Sequence, residues 1–219
     1  MASNWPDPDR TEELLREARN GDDGAINRLM ERHRAAVHRL VQIRLDQRIQ
    51  RRLDVSDVVQ DVFVEANRRI QRYLANPLLP FHLWLRHIAR DRIIDAHRRH
   101  RQSARRSVDR EQPLVLPADC DHSTRELAGQ LWDHQLTPEA AATQKELAVR
   151  IERGISQLND QDAEIVLMRH YEHLSNQEIA QSLGLTEPAA SMRYLRAIRR
   201  LRSMLLDELP PQPPAEEKP

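Results

Sequence analysis

Leu174 to Leu201, LSNQEIAQSLGLTEPAASMRYLRAIRRL, decides the fold. It reads as two short helices joined by a tight glycine turn, the layout of a DNA-binding helix-turn-helix. Ser175 can cap the first helix, and Glu178 three residues later completes a capping box. Ile179, Ala180 and Leu183 are expected to face inward. Gly184 falls where the chain must leave the helix with positive φ, and Leu185 fills the angle between the helices. Thr186 caps the second helix, and Pro188 sits in its first turn, where a missing N–H costs nothing. That helix then carries Arg193, Arg196, Arg199, Arg200 and Arg202. Two packed surface helices with a solvated basic face would also show arginines, but here every cap and turn residue agrees with the motif.

Working outward, the composition favours helices and disfavours a β-sandwich. Aromatic residues make up 4% and charged residues 31%, and there are five glycines in 219 residues. The formal net charge is zero, so the chain is no generic polyanion binder. The distribution matters more. Arg86 to Arg110 holds nine arginines against three aspartates, a net of +6. Glu111 to Glu126 holds four acids and one arginine, a net of −3. Adjacent blocks of opposite sign predict a nucleic-acid surface beside an acidic connector. A single Cys120 excludes an internal disulfide and a cysteine-based zinc cluster. No motif calls for a metal or cofactor. No long apolar run or signal peptide is present, which predicts a cytoplasmic protein without a membrane partner.

Periodicity divides the chain. Residues 1–24 read as a polar lead-in with one short helix near Glu12 to Arg19. Residues 25–106 read as a first helical domain. In it, Ile26, Leu29, Met30, His33, Val37, Leu40 and Val41 form a one-face stripe, and Val55, Val58, Val59, Val62, Phe63, Ala66 and Ile70 form a second one after Asp54. Asn76, Pro77 and Pro80 break the chain before a third helix through Trp84, Leu85 and Ile88. Residues 107–138, with Pro113, Pro117 and Pro138, read as a flexible linker with transient helix at most around Thr124 to His134. Residues 139–209 form a second domain that begins with Leu147, Ile151, Ile155 and Leu158. Asn159 caps its next helix, which buries Ile165, Val166 and the stem of Arg169. Residues 210–219 read as a disordered Pro-rich tail. The expected fold is all-α: two small helical domains, a flexible linker, and a helix-turn-helix in the second.

Two further strings complete a pattern: DVSDVVQDVFVEA at Asp54 to Ala66 and WLRHIARDRIIDAHRR at Trp84 to Arg99. In this order and spacing, with the helix-turn-helix, the chain resembles the extracytoplasmic-function sigma factors of bacterial RNA polymerase, in character the planctomycete-like subgroup. The resemblance covers about Ala25 to Arg106 and Leu147 to Leu206. It implies a sigma factor rather than an enzyme, one that binds polymerase core and directs promoter-specific initiation.

By that resemblance, Asp57, Gln60 and Asp61 would dock on the clamp helices of the polymerase β′ subunit. Such a patch gives orientation more than raw affinity; an acid at this helix start also suits the helix dipole. The third helix and the loop Ala75 to Phe81 would hold the melted −10 element and a flipped base. Arg86, Arg90, Asp91, Arg98 and Arg99 are the expected −10 residues, with the arginines neutralising phosphates. Trp84 suits core packing. Asp91 departs from the asparagine that most relatives carry; it can only accept hydrogen bonds when ionised, and could instead pair with Arg86 or Arg92. In the second domain Ser191, Met192, Arg193, Leu195, Arg196 and Arg200 would meet the −35 element, Arg196 by gripping a guanine. Arg193, Arg199 and Arg200 suit phosphate or β-flap contacts. Pro188, Ala189, Ala190 and Ser191 replace a usual Gly-Thr-Val-Lys string, which implies more shape reading. The resemblance also implies an anti-sigma partner.

Two other classes compete. A helix-turn-helix regulator that is no polymerase subunit would need a sensor or receiver domain, and residues 25–110 lack strand alternation. A metal-dependent phosphodiesterase could use His82, His87, His97 and His100 with Asp91 and Asp95, but no metal-site or phosphate-loop motif accompanies them.

Overall fold

A computed structural model describes residues 5–45, 47–50, 53–104, 121–131 and 144–207. All regular structure among them is helical: α1 Pro8–Arg19, α2 Asp23–Arg44, α3 Gln47–Gln50, α4 Val55–Ala75, α5 Phe81–Ala104, α6 Asp121–Leu131, α7 Gln144–Gln157, α8 Asp160–His170, α9 Asn176–Leu183 and α10 Glu187–Asp207. Helices α1 to α5 pack into one unit and α6 to α10 into another.

The helix starts follow local chemistry. Asp7, Asp22, Asp54 and Asn159 each cap a helix by accepting a backbone N–H, as the orphaned first-turn donors require. The stripes expected for α2 and α4 are buried apart from half-buried Val55 and Phe63, and Leu29, Val37 and Val41 share a core with Val62, Ala66 and Ile70 where α2 packs on α4. Phe81, Leu83, Leu85 and Ile88 of α5 close this core. Tyr73, Phe81 and Trp84 form an aromatic corner, with Tyr73 4.6 Å from Trp84 between centroids. Trp84 is half-buried there, as expected of a packing residue.

Residues 1–24 depart from a polar lead-in. Leu14, Leu15 and Ala18 of α1 are buried against α2 and α4, and Trp5 sits over His33 and His82. The opening helix belongs to the first core.

The linker reading also changes. Helix α6 lies inside it, with Leu127, Ala128 and Leu131 buried against α7, α8 and α10. Buried Thr124 shares a hydrogen bond with Tyr171, and Gln130 accepts one from Tyr194 at 2.7 Å. An 11-residue helix is marginal alone in water, so its docking on the second unit is what holds it. The rest of the expected linker and the expected tail lie outside the described residues.

In the second unit Ile151, Ile155, Ile165, Val166, Ala197, Leu201 and Leu205 make the core. Helix α7 crosses α10 at Gly154, where a Cβ would come within 2.5 Å of Leu201 Cδ1. Arg169 is exposed rather than stem-buried; its guanidinium lies 5.8 Å from the Tyr194 ring centre. Among the described residues no helix is long and apolar enough to cross a membrane.

Candidate nucleic-acid interface

The helix-turn-helix is built by the capping chemistry read in the sequence. Ser175 Oγ accepts from the Glu178 N–H, and Glu178 Oε2 accepts from the Ser175 N–H at 2.7 Å, closing the box. Gly184 has φ +64°, the left-handed exit that favours glycine. The Ala189 N–H donates to Thr186 Oγ1. Buried Ala190, Ala197 and Leu201 turn the opposite face of α10 to solvent. On that face Met192, Leu195, Arg196 and Arg200 are exposed, and Ser191 and Arg193 half-buried. The six residues expected at the −35 element therefore share one helix with an open face. Arg193 and Arg196 also border a shallow recess whose other wall is Asn159, Asp160, Gln161 and Asp162.

Asp57, Gln60 and Asp61 lie exposed on α4, on the side away from buried Val58, Val59 and Val62. Asp61 and Arg99 form a surface pair at 3.3 Å. A groove of about 590 Å³ runs from here between α4 and α5, lined in part by Asp61, Glu65, Arg68, Arg92, Arg98 and Arg99. Arg90, Asp91, Arg98 and Arg99 are exposed on α5. Arg92 pairs with Asp95 at 3.1 Å, and Arg86 is turned the other way, so neither alternative partner weighed for Asp91 holds it.

Arg86 is the correction. It was expected to face DNA phosphates, but its side chain is 1% exposed in the seam between the two units. Its Nε donates to Glu172 Oε2 at 2.5 Å, its Nη2 to Glu164 Oε1 at 2.6 Å, and its Nη1 to Ser182 Oγ at 3.1 Å. Arg44, at the end of α2, donates to the same two glutamates, with Nη1 to Glu164 Oε2 at 2.6 Å and Nη2 to Glu172 Oε1. Glu172 is 2% exposed and Glu164 14%. Burial alone would raise both carboxyls. The two guanidiniums overcome it and hold Glu164 at about 2 and Glu172 below its ordinary value. The same glutamates raise Arg44 despite its burial. The cluster sets two guanidiniums against two carboxyls.

Of the α5 histidines whose side chains are described, His82 and His87 face the second unit and His97 faces α2, so these three do not converge. His82 Nε2 meets Glu178 Oε1 at 2.7 Å, His87 lies 3.4 Å from Ser182 Oγ, and His97 faces the Arg44 carbonyl. Glu178 thus caps α9 and binds the other unit. Burial opposes its charge, yet His82 and Ser175 hold it at about 2. Among the described residues no group of three or more His, Cys, Asp or Glu could hold a metal ion.

Arg44, Glu164 and Glu172 were not foreseen as functional residues. Arg44 and Glu164 each adjoin apolar residues, in VQIRL and AEIVLM, whereas Glu172 sits between Tyr171 and His173 and gives no such signal. The pattern at the first two marks a paired buried charge, but it does not name the partner.

The comparisons agree with this layout. Residues 29–103 match the family described as Sigma-70 region 2, and residues 148–201 match Sigma-70 region 4. The sigma factor CnrH of Cupriavidus metallidurans is 28% identical over 202 residues, covering 92% of this chain and 96% of that one. The ECF sigma factor SigD of Mycobacterium tuberculosis is 27% identical over 199 residues, covering 90% and 85%. A solved structure of CnrH in complex with the cytosolic domain of CnrY shares the fold, at TM-score 0.56 and 22% identity over 93% of this chain and 100% of that one. The chain belongs to the sigma-70 family as an extracytoplasmic-function member, a sigma factor that directs promoter-specific transcription by RNA polymerase.

Proposed function

We propose that the first unit binds polymerase core through Asp57, Gln60 and Asp61 on the β′ clamp helices and holds the melted −10 element with Arg90, Asp91, Arg98 and Arg99. The second unit reads the −35 element with Ser191, Met192, Arg193, Leu195, Arg196 and Arg200 and rests on the β flap. The observation that carries this reading is the open face of α10: an exposed arginine flanked by exposed apolar side chains, on a helix fixed by a left-handed glycine turn. The exposed acid–amide patch of α4 supports the core contact. A cytoplasmic site of action and membership of the planctomycete-like subgroup are part of the same proposal; the subgroup rests on the character of the Asp54 and Trp84 strings.

A protein partner that restrains the factor is proposed as well, supported by the solved complex of the relative CnrH with another protein's cytosolic domain. Run-off transcription with core polymerase on genomic fragments tests the main reading. Defined start sites that require this chain are expected. DNA binding with no start sites would favour a regulator outside the polymerase.

A further inference from the structure

Apolar packing holds the first half of α10 weakly. From Glu187 to Ala197 its buried side chains are Ala190 and Ala197. The larger buried anchors, Leu201 and Leu205, come one and two turns later. Apolar contact is non-directional, so two methyl groups do little to stop a helix rolling about its own axis. Yet the first half carries the side chains expected at the −35 element. Successive residues are ~100° apart around a helix, so a small roll re-aims all of them together.

Tyr194 supplies what the alanines lack. It lies between Arg193 and Leu195 and one turn after Ser191. Its hydroxyl donates to Gln130 Oε1 of α6 at 2.7 Å and accepts from His170 Nε2 of α8 at 2.8 Å. An amide oxygen can only accept, so the hydroxyl proton belongs on the Gln130 side and the imidazole proton on Nε2. Burial lowers His170 to about 4, so at neutral pH it carries the single proton this arrangement needs. The Arg169 guanidinium lies 5.8 Å from the ring centre. The tyrosine is therefore gripped at its tip from two helices and at its ring from one. Hydrogen bonds are directional, and a satisfied polar network rigidifies what it joins.

Gln130 is the unexpected member. It comes from the segment that composition reads as linker, outside both matched regions, 29–103 and 148–201. Buried Leu127, Ala128 and Leu131 already dock α6 on the second unit. The Gln130 side chain is exposed and adds little to that docking, but it holds the recognition helix at its middle.

We infer that Gln130 is a positioning residue for −35 recognition. Acting through the Tyr194 hydroxyl, with His170 as the second support, it fixes the roll of α10 and so the aim of Ser191, Met192, Arg193, Leu195 and Arg196. The aim at −35 DNA rests on the function proposed above; the anchoring of α10 does not. A linker helix thereby becomes a working part of the promoter-reading unit.

The test uses the full chain, free and in holoenzyme with core polymerase. Gln130→Leu keeps the bulk and removes the acceptor, and Gln130→Glu restores an acceptor at the same place. In the free chain, amide hydrogen exchange over residues 187–197 should rise about three- to tenfold in Gln130→Leu, as the loss of one net hydrogen bond allows. It should stay near wild type in Gln130→Glu, and α6 itself should be unchanged. If α6 loosens in Gln130→Leu, Tyr194→Phe decides, because it removes the donor without touching α6.

The holoenzymes are then compared on a promoter mapped by run-off transcription and on its single-base −35 variants. Gln130→Leu should lose about three- to tenfold of the preference for the mapped sequence, and Gln130→Glu should keep it. The double variant should be no worse than Tyr194→Phe alone, because Gln130 acts only through that hydroxyl. Unchanged exchange over 187–197 in both Gln130→Leu and Tyr194→Phe would overturn the anchoring. Raised exchange with the −35 preference intact would overturn the positioning role. A wild-type holoenzyme with no −35 preference would overturn the −35 reading and with it the role of Gln130, whereas raised exchange would still uphold the anchor.

Discussion

Helices α5 and α10 carry arginines at similar spacings, yet the structure uses them differently. On α10, Arg196, Arg199, Arg200 and Arg202 are exposed, because Ala197, Leu201 and Leu205 already give the helix a buried face. On α5, Arg86 lies among Leu83, Leu85 and Ala89 and is swallowed by the seam, while Arg90, Arg98 and Arg99 remain outside. An arginine's role is set less by its helix than by what the facing surface offers. Glu164 and Glu172 wait opposite Arg86; among the described residues α10 meets no comparable acids within ion-pair distance on its open face.

The largest effect that would test this contrast is on stability. Arg86→Ala leaves buried Glu172 with Arg44 as its cationic partner and should lower stability by about 1.5–3 kcal/mol, whereas Arg200→Ala should stay within about 0.5 kcal/mol. Urea unfolding followed by helicity checks both. Similar midpoints for the two variants would erase the distinction.

Acid should weaken the units at different points from the seam. Among the described residues each unit buries one histidine. His33 Nδ1–H donates to the Leu29 carbonyl, and His170 Nε2 bonds the Tyr194 hydroxyl at 2.8 Å. Burial lowers both to about 4 from an ordinary 6.5. The unfolded chain then binds protons that the folded chain refuses, so stability is full above pH 6.5 and falls as pH drops toward 4. The loss is up to about 3 kcal/mol per histidine. Glu164 acts lower: its depressed carboxyl gives stability that is full above its ordinary value of 4.5 and lost as pH falls toward 2. Urea midpoints measured from pH 8 to 3 should therefore decline in two stages, and His33→Gln should flatten the first. A profile level between pH 6.5 and 4 would contradict the burial of both rings.

Selectivity should separate arginines within α10. Arg196→Ala should relax discrimination at one −35 base pair by roughly 1–3 kcal/mol, while Arg200→Ala should weaken all sequences alike. Equal losses across single-base promoter variants for Arg196→Ala would make it a backbone contact and shift reading to Ser191 and Met192. The smallest effect concerns α4. Asp61→Arg should weaken core binding by about 1 kcal/mol with helicity intact, because exposed charges contribute little singly. Unaltered core affinity would remove Asp61 from the docking surface.

Much of this was legible in the sequence, for local reasons. The Ser175–Glu178 box, Gly184, Thr186 and Asn159 act within a few residues of themselves, so spacing revealed them. The stripes of α2 and α4 were likewise self-contained. Helix α1 was undervalued because Trp5, Leu14 and Leu15 are apolar singles in a polar stretch, and only α2 and α4 make them a core. Helix α6 was hidden because its two leucines find their partners in α7 and α10. The burial of Arg86 was not legible because its glutamates lie 78 and 86 residues away. A charge block shows sign, and only tertiary contact shows whether water or a counter-ion receives it.

Docked α6 also acts as a ruler. With that helix held on the second unit, residues 105–120, sixteen in all, are the span left between the units. At ~3.3–3.6 Å per residue sixteen residues reach at most about 58 Å. If α6 peeled away, residues 105–143, thirty-nine in all, could bridge more than twice as far. The Thr124–Tyr171 and Gln130–Tyr194 bonds thereby more than halve the number of residues between α5 and the first helix docked on the second unit.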